Sequence, residues 1–168
     1  MKVFIFTNIF PIYRKSLWDK LIEIKELNFK FFFSSKPIDN VETVLVQNVY
    51  IDEEQKAFEH IQNIFLFEKL IWQRGVLRKS FENISAVILL GEMTILSNWI
   101  AAIIFRLRGI KVIFWGHGIY GNENRIKLLI RKTFLRLANH NLVYEKRARK
   151  IMLEHGFKQN KISVVYNS

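Results

Sequence analysis

The feature that most constrains the fold is a pair of short apolar runs separated by a long apolar helix pattern. The runs are Ala86–Leu90 (AVILL) and Val112–Trp115 (VIFW), and between them Thr94–Arg108 repeats apolar residues at helical spacing. Each run is apolar at every position, as in a strand that is buried on both faces. A strand, a helix and a second such strand form a right-handed crossover unit, which predicts a parallel sheet covered by helices.

The same alternation of strands and helices continues along most of the chain. Residues 52–67 sustain neither period, and Gly75 lies inside a helical pattern, where a glycine marks close packing or a bend. The resulting prediction is an α/β domain with a Rossmann-like parallel sheet and helices on both faces. The other predicted strands are Lys2–Thr7, Asn28–Ser34, Thr43–Tyr50, Asn141–Tyr144 and Lys161–Tyr166, and the other predicted helices are Ser16–Glu26, Glu68–Phe81, Arg125–Ala138 and Lys146–His155.

The composition indicates one basic domain without cysteine. With 168 residues, of which 50% are hydrophobic, the chain is long enough to bury a sizeable core. Lys and Arg number 26 against 15 Asp and Glu, and the net charge of +11 favours an anionic partner such as nucleic acid, a phosphorylated substrate or a membrane surface. Because cysteine is absent and the four histidines are scattered, we predict no disulfide, no metal site and no cofactor.

The best catalytic candidate is His117, in the turn Trp115–Gly118 (WGHG) that follows an apolar strand. Open α/β sheets bind their ligands at the carboxyl ends of strands, which is where this turn lies. Gly116 and Gly118 allow the backbone to turn sharply and a substrate to come close. The alternative is a structural imidazole that caps the strand or bonds to a backbone carbonyl.

Three further residues are predicted to bind substrate because each follows a strand or opens a helix. Glu92 and Glu145 come directly after predicted strands, and a carboxylate there accepts hydrogen bonds from the hydroxyl groups of a ligand. The alternative for Glu92 is a favourable interaction with the amino end of the next helix. Arg14 opens the first helix, where a cation meets an anionic ligand or, alternatively, remains a solvated surface residue.

The helix pattern Arg125–Arg136 (RIKLLIRKTFLR) combines aliphatic and basic residues. One interpretation is a helix whose aliphatic side faces the core while its basic side is solvated. The other is contact with anionic lipid head groups, extended by Trp72, Arg74, Arg78 and Lys79 of the preceding predicted helix. The residues predicted to contact the membrane are Arg125, Lys127, Arg131 and Lys132.

Four segments together resemble the amino-terminal half of the retaining glycosyltransferases of family 4, which have the GT-B fold. They are the strand Ala86–Leu90 with the following Gly91-Glu92, the helix with Leu96-Ser97-Asn98-Trp99, the WGHG turn and the terminal segment 156–168 (GFKQNKISVVYNS). The resemblance covers essentially the whole chain. It implies that residues 1–168 form the acceptor-side domain and that the donor-binding carboxyl-terminal domain is absent. It also implies that His117 bonds a sugar hydroxyl or stabilises the charge that develops on the transferred sugar.

The implied reaction transfers a sugar from a nucleotide sugar to a glycan or lipid-linked acceptor, in surface polysaccharide assembly, once a donor domain completes the enzyme. The expected location is the cytoplasm, with peripheral binding to the inner face of the membrane. The alternatives are a non-catalytic, membrane-associated binding subunit and an inactive truncated fragment. Nucleic-acid binding is disfavoured, because no zinc-finger spacing or aromatic RNA-binding signature is present.

Overall fold

The computed structural model describes residues 1–34, 56–67 and 69–166. Its centre is a seven-stranded sheet in the order β3-β2-β1-β6-β7-β8-β9, in which every pair of neighbours is parallel. The strands of the described residues are β1 Lys2–Phe6, β2 Asn28–Phe33, β3 Phe58–His60, β4 Gln62–Leu66, β5 Leu70–Arg74, β6 Ala86–Leu90, β7 Lys111–Gly116, β8 His140–Val143 and β9 Ile162–Val164.

Helices cover both faces of this sheet, as predicted. Val3 and Ile5 of β1 pack in one buried cluster with Trp18. Phe4 and Phe6 alternate with them along the strand and therefore point to the other face, into a second cluster. Trp18 belongs to the first helix, and Ala101, Phe134 and Met152 of the third, fourth and fifth helices lie in the second cluster. The helices of the described residues are α1 Lys15–Ile22, α2 Val76–Lys79, α3 Leu96–Leu107, α4 Arg125–Leu135 and α5 Lys146–Glu154.

Consecutive phenylalanines make β2 a strand that is buried on both faces. Phe32 is fully buried and stacks on Phe6 of the neighbouring strand, with ring centroids 4.4 Å apart. Phe31 points to the opposite face, where its ring meets Trp18 edge-on at 5.2 Å. Burying each such ring contributes about 1.5–3 kcal/mol, so these aromatic pairs hold β1 and α1 against the sheet.

The helix predicted at residues 68–81 is wrong over Leu70–Arg74, which form β5 of a β-hairpin, and the helical part of the segment is confined to Val76–Lys79. β5 pairs antiparallel with β4 in the register Gln62 to Arg74. Gly75 follows with φ of +97°, a left-handed conformation that suits glycine, and it separates β5 from the short helix α2. β5 is held against α3, since the backbone N–H of Gln73 donates to Ser97 Oγ at 3.1 Å. Trp72 and Arg74 lie on β5, so the prediction that they extend a basic patch along a helix is wrong.

The remaining predicted elements within the described residues are confirmed, with ends that differ by a few residues. The predicted strand Thr43–Tyr50 lies outside the described residues. α4 begins where predicted, because the side chain of Asn124 accepts a hydrogen bond from the backbone N–H of Lys127 at 2.8 Å and caps the helix.

The strand order places a topological switch point between β1 and β6. From β1 the chain continues through β2 to β3, and it later returns to the opposite side of β1 to form β6. Where the strand order reverses in this way, the loops after the two strands diverge and leave a crevice at their carboxyl ends. The loops after β1, β6, β7 and β8 all meet at this edge of the sheet.

Candidate functional site

Two adjacent cavities lie at the carboxyl edge of the sheet. The first has a volume of about 220 Å³ and is built from the loops after β1, β6, β7 and β8. The second, of about 240 Å³, extends towards the amino end of α5. His117 and Tyr144 line both cavities. The first is also lined by Asn8, Tyr13, Arg14, Glu92 and Gly116, and the second by Tyr120, Glu145 and Arg147.

Most of the predicted site residues therefore meet at one edge, as expected. Gly116 lies beneath the first cavity, with its backbone packed on Gly91. Gly118 is instead packed under the loop: its φ is +66°, and a Cβ there would lie 2.9 Å from Met152 Sδ. The structure thus gives Gly118 a conformational role, and contact between Gly118 and substrate stays a prediction.

His117 is held between two tyrosine rings. The Tyr120 ring stacks on the imidazole with centroids 5.4 Å apart, and the Tyr144 ring meets it edge-on at 4.8 Å. The imidazole is oriented by this packing, and His117 lines both cavities. A catalytic role for His117 stays a prediction.

Glu92 lies next to this imidazole and is half-buried. Burial raises the pKa of its carboxyl group, although the positive charge of Arg131, the neighbouring His117 and a hydrogen bond from the Tyr120 hydroxyl oppose the shift. A carboxyl group with a raised pKa keeps its proton to higher pH and can both donate and accept hydrogen bonds. Such groups are typical of acid–base sites.

Arg14 forms a rigid wall of the first cavity. Only 7% of the residue is exposed, so the interpretation as a solvated surface residue is wrong. Its Nη2 donates to the Tyr144 hydroxyl at 2.9 Å, and its guanidinium carbon lies 4.5 Å from the centre of the Trp115 ring. Burial raises the pKa of Tyr144 while the charge of Arg14 opposes the shift. Contact between Arg14 and an anionic acceptor stays a prediction.

The loop that carries His117 is held by Arg131, which the sequence had assigned to the membrane surface. That assignment is wrong, because Arg131 is 3% exposed and points into the domain. Its Nε lies 2.8 Å from Glu123 Oε1, and its guanidinium carbon lies 4.5 Å from the centre of the Tyr120 ring. The Glu123 carboxylate also accepts hydrogen bonds from the backbone N–H groups of Tyr120 and Gly121, at 3.1 and 2.8 Å. Arg131 thereby fixes the ring on which His117 stacks.

The electrostatics of Glu123 agree with this role. Burial alone would raise the pKa of its carboxyl group. The backbone donors of Tyr120 and Gly121 and the charge of Arg131 outweigh burial and hold that pKa below its usual range. Glu123 is therefore a carboxylate that anchors the loop and differs from Glu92, whose pKa is shifted in the opposite direction.

Two buried amides of the unpredicted hairpin support the loop after β1. Gln73 Nε2 donates to the backbone carbonyl of Thr7 at 3.1 Å and to Asn63 Oδ1 at 3.2 Å. Asn63 Nδ2 donates to the carbonyl of Asn8 at 2.9 Å. Sequence reasoning missed this support because it assigned Gln73 to a helix.

Tyr120 and Glu123 are further residues that sequence reasoning missed. Both lie in the segment between the WGHG turn and the basic helix, four to seven residues after Gly116 in a stretch without periodicity. An aromatic residue and a carboxylate close to a strand-end histidine are a usable signal for such a site. Within residues 1–34, 56–67 and 69–166 no group of three His, Cys, Asp or Glu side chains is placed to hold a metal ion.

Comparison with known proteins bears on the fold. Neither protein-family models nor curated protein sequences match this chain. Among solved structures, UDP-GlcNAc 2-epimerase from Methanocaldococcus jannaschii is 17% identical, with a TM-score of 0.63 over 98% of this chain and 45% of that one. Anabaena HepE, solved in complex with UDP and glucose, is 12% identical, with a TM-score of 0.61 over 100% and 44% of the two chains.

UDP-N-acetylglucosamine 2-epimerase from Rickettsia bellii is also similar, at 13% identity and a TM-score of 0.57 over 98% of this chain and 44% of that one. This chain spans less than half the length of these three structures. At such low identity the likeness shows the fold alone. The chain has the fold of one half of a GT-B-like architecture, and membership of the retaining glycosyltransferase family 4 stays a prediction.

Proposed function

We propose that this chain is the acceptor-side half of a GT-B glycosyltransferase, which transfers a sugar from a nucleotide sugar to a glycan or lipid-linked acceptor. The observation that carries the proposal is the meeting of His117 and Glu92 in one cavity at the switch point of the sheet. A donor-binding domain, on the same or on a separate polypeptide, completes the cleft. The HepE structure, which holds UDP and glucose, supports a nucleotide sugar as the donor.

The residues of the cavity suit a transfer in which positive charge develops on the sugar. In the proposed reaction the bond from the sugar to the leaving phosphate breaks, the bond to the acceptor oxygen forms, and the acceptor proton passes to that phosphate. His117 bonds a sugar hydroxyl close to the reacting carbon, and Glu92 bonds an acceptor hydroxyl. Arg14 and Tyr144 keep the wall of the cavity in place, which preserves the orientation of both groups.

We place the reaction in surface polysaccharide assembly, at the cytoplasmic face of the membrane. Nucleotide sugars are soluble and lipid-linked acceptors are held in the bilayer, so the two substrates meet at that surface. The basic charge of the chain supports this setting, since lipid-linked acceptors and the inner leaflet are anionic.

A second candidate function is epimerisation of a nucleotide sugar, favoured by the epimerases among the similar structures. Inversion at C2 requires removal of the proton on that carbon and its return on the opposite face. A carboxyl group whose pKa is raised by burial, such as that of Glu92, is suited to hold and release that proton. This reaction needs no acceptor.

One experiment separates the two reactions. The protein is isolated from its own cells with the polypeptide that completes it, and it is supplied with UDP-sugars in heavy water, with and without an extract of cell-surface glycans and glycolipids. Transfer adds the mass of one sugar to an acceptor and depends on the extract. Epimerisation proceeds without the extract and places deuterium on C2, as read by NMR.

Variants then test the site. His117→Ala and Glu92→Gln are each expected to lower the rate by about 10²- to 10⁴-fold. Glu154→Gln, at an exposed glutamate on α5, is the matched control and should leave the rate unchanged. Full activity of both site variants would refute the proposed site, and neither product from any UDP-sugar would refute the proposed function.

A further inference from the structure

The outward side of α4 carries aliphatic side chains that one of the two interpretations of the sequence placed in the core. Ile126, Leu129 and Ile130 are 73%, 64% and 46% exposed. The core-facing interpretation of these three residues is wrong, because the inward side of the helix is occupied by Arg131 and Phe134. Their spacing of three and four residues puts the three aliphatic side chains on one stripe of the helix.

The neighbouring helix α3 adds to this exposed aliphatic surface. Ile103 and Leu107 are 46% and 83% exposed. α3 and α4 lie side by side on the same face of the sheet, since the rings of Trp99 and Phe134 are 4.9 Å apart. We define the aliphatic face as the exposed side chains of both helices, namely Ile100, Ile103, Leu107, Ile126, Leu129 and Ile130.

Basic residues accompany the aliphatic face, and acidic ones do not. Neither α3 (LSNWIAAIIFRL) nor α4 (RIKLLIRKTFL) contains an Asp or Glu. Arg125 and Lys127 are exposed in the first turn of α4, where the positive end of the helix dipole makes cations unfavourable. Their positive charge adds to that of the dipole, so this end of the surface is suited to an anionic partner.

We propose that the aliphatic face docks on the surface of an anionic lipid bilayer. The aliphatic side chains enter the boundary between head groups and acyl chains, and Arg125 and Lys127 contact lipid phosphates. This inference deepens the membrane setting of the proposed function by naming the surface that makes the contact, and its test requires no sugar or donor domain. None of the helices in the described part of the chain has the length and apolar character of a membrane span.

Charge distinguishes a bilayer from a second copy of the chain as the occupant of this face. In a two-fold symmetric dimer through the aliphatic face, the same patch of both copies would meet, and their cations would approach each other. The net charge of +11 per chain adds further repulsion. An anionic bilayer reverses the sign of this interaction, and each basic residue near its surface strengthens binding.

Docking through α4 also has a consequence for the site. The inward side of α4 carries Arg131, which holds the loop of His117, while its outward side carries the aliphatic stripe. One helix therefore links the proposed membrane surface to the candidate site. A lipid-linked acceptor held in the same bilayer would lie near the loop that α4 supports.

Flotation with vesicles tests the proposal directly. The chain is mixed with vesicles of phosphatidylcholine alone or with 30% phosphatidylglycerol, at low and high salt, and bound protein is measured after centrifugation. We expect binding only to the anionic vesicles and weaker binding at high salt. Absence of binding to anionic vesicles at low salt, or equal binding to neutral vesicles, would overturn the proposal.

Two sets of variants separate the apolar and ionic contributions. The triple variant Ile126→Ser, Leu129→Ser, Ile130→Ser should bind at least tenfold more weakly, and Arg125→Gln with Lys127→Gln roughly 20- to 30-fold more weakly. Ile24→Ser is the control, since Ile24 is 37% exposed and follows α1, which covers the opposite face of the sheet. Circular dichroism checks that each variant is folded.

Sedimentation of the chain without lipid measures its oligomeric state and so tests whether a second copy of the chain occupies the aliphatic face. A monomer that floats with anionic vesicles supports the bilayer. A dimer that the triple serine variant dissociates would overturn the proposal in favour of a second copy. Unchanged flotation of the triple variant would overturn the role of the aliphatic face.

Discussion

Replacing Arg131 with Met is expected to destabilise the chain and to loosen the loop that carries His117. The side chains of Arg131 and Glu123 are 4% and 2% exposed, and the two charged groups are 2.8 Å apart. Removing one partner of such a buried pair costs about 3–5 kcal/mol, since the other charge remains buried and unpaired. Glu123 keeps its two backbone donors, so we expect about 3 kcal/mol, the lower end of that range.

Urea unfolding, followed by circular dichroism, measures this loss as a change in the free energy of unfolding. Arg125→Met is the matched control, because Arg125 is an exposed arginine on the same helix and should change stability by less than about 0.5 kcal/mol. Combining Arg131→Met with Glu123→Gln removes the stranded charge and should recover part of the loss. NMR of the His117 ring, which Tyr120 orients, reports separately on the loop.

The pH dependence provides a further check on the pair. The pKa of Glu123 is lower in the folded chain than in the unfolded chain, so the ion pair stabilises the fold above the unfolded pKa of about 4.3. This contribution disappears as the pH falls through the folded pKa. The difference between wild type and Arg131→Met should therefore shrink in acid. A loss below about 1 kcal/mol at pH 7, or one that Glu123→Gln does not alter, would refute the reasoning.

Three further predictions follow from the site and its supports. Glu92→Gln should make the chain more stable at neutral pH while lowering activity, because the raised pKa of Glu92 favours folding only below the folded pKa. The gain in free energy of unfolding over wild type, measured with urea, should therefore grow as the pH rises above about 4.3, the unfolded pKa. A gain at acid pH alone would contradict this account. Gly118→Ala should lower the stability measured by thermal unfolding by more than about 2 kcal/mol, because the φ of +66° is left-handed and the new Cβ meets Met152. Gly116→Ala should lower it by less than about 1 kcal/mol, since its Cβ would lie 3.5 Å from the nearest atoms. Equal losses for the two variants would count against this account. Gln73→Leu should cost about 1–3 kcal/mol, because it removes the side-chain amide and leaves its buried partners, the Thr7 carbonyl and Asn63 Oδ1, without that donor. Hydrogen exchange at the loop after β1 should accelerate, and unchanged exchange would show that the loop does not depend on the hairpin.

The gathering of the candidate site was predictable from the sequence because strand ends are local features. A buried run that stops at a glycine marks the carboxyl end of a strand, and parallel strands bring such ends to one edge. His117, Glu92, Arg14 and Glu145 therefore line the same pair of cavities, as predicted. The contacts among them were not predictable, since they depend on side chains such as Tyr120 that lie in loops.

The hairpin escaped prediction for a different reason. Residues 70–77 contain apolar residues close enough together to fit a helical period as well as an alternating one. The choice depends on Gly75, whose left-handed φ ends β5, and on the hydrogen bond from Gln73 to Ser97 of α3. Such a long-range contact leaves no mark on local periodicity.

The sequence by itself determined the α/β class, six of the seven strands of the parallel sheet and the edge at which the candidate residues meet, because these follow from local apolar patterns. Only the tertiary structure decided which side of α4 is buried. That helix has aliphatic and basic residues around its circumference, so its pattern allows more than one rotation. Packing on the sheet selects one rotation, in which Phe134 stacks on Phe114 with ring centroids 4.4 Å apart and Arg131 forms an ion pair with Glu123. The aliphatic side was thereby turned outward, since a buried arginine needs a carboxylate partner and an exposed isoleucine needs none.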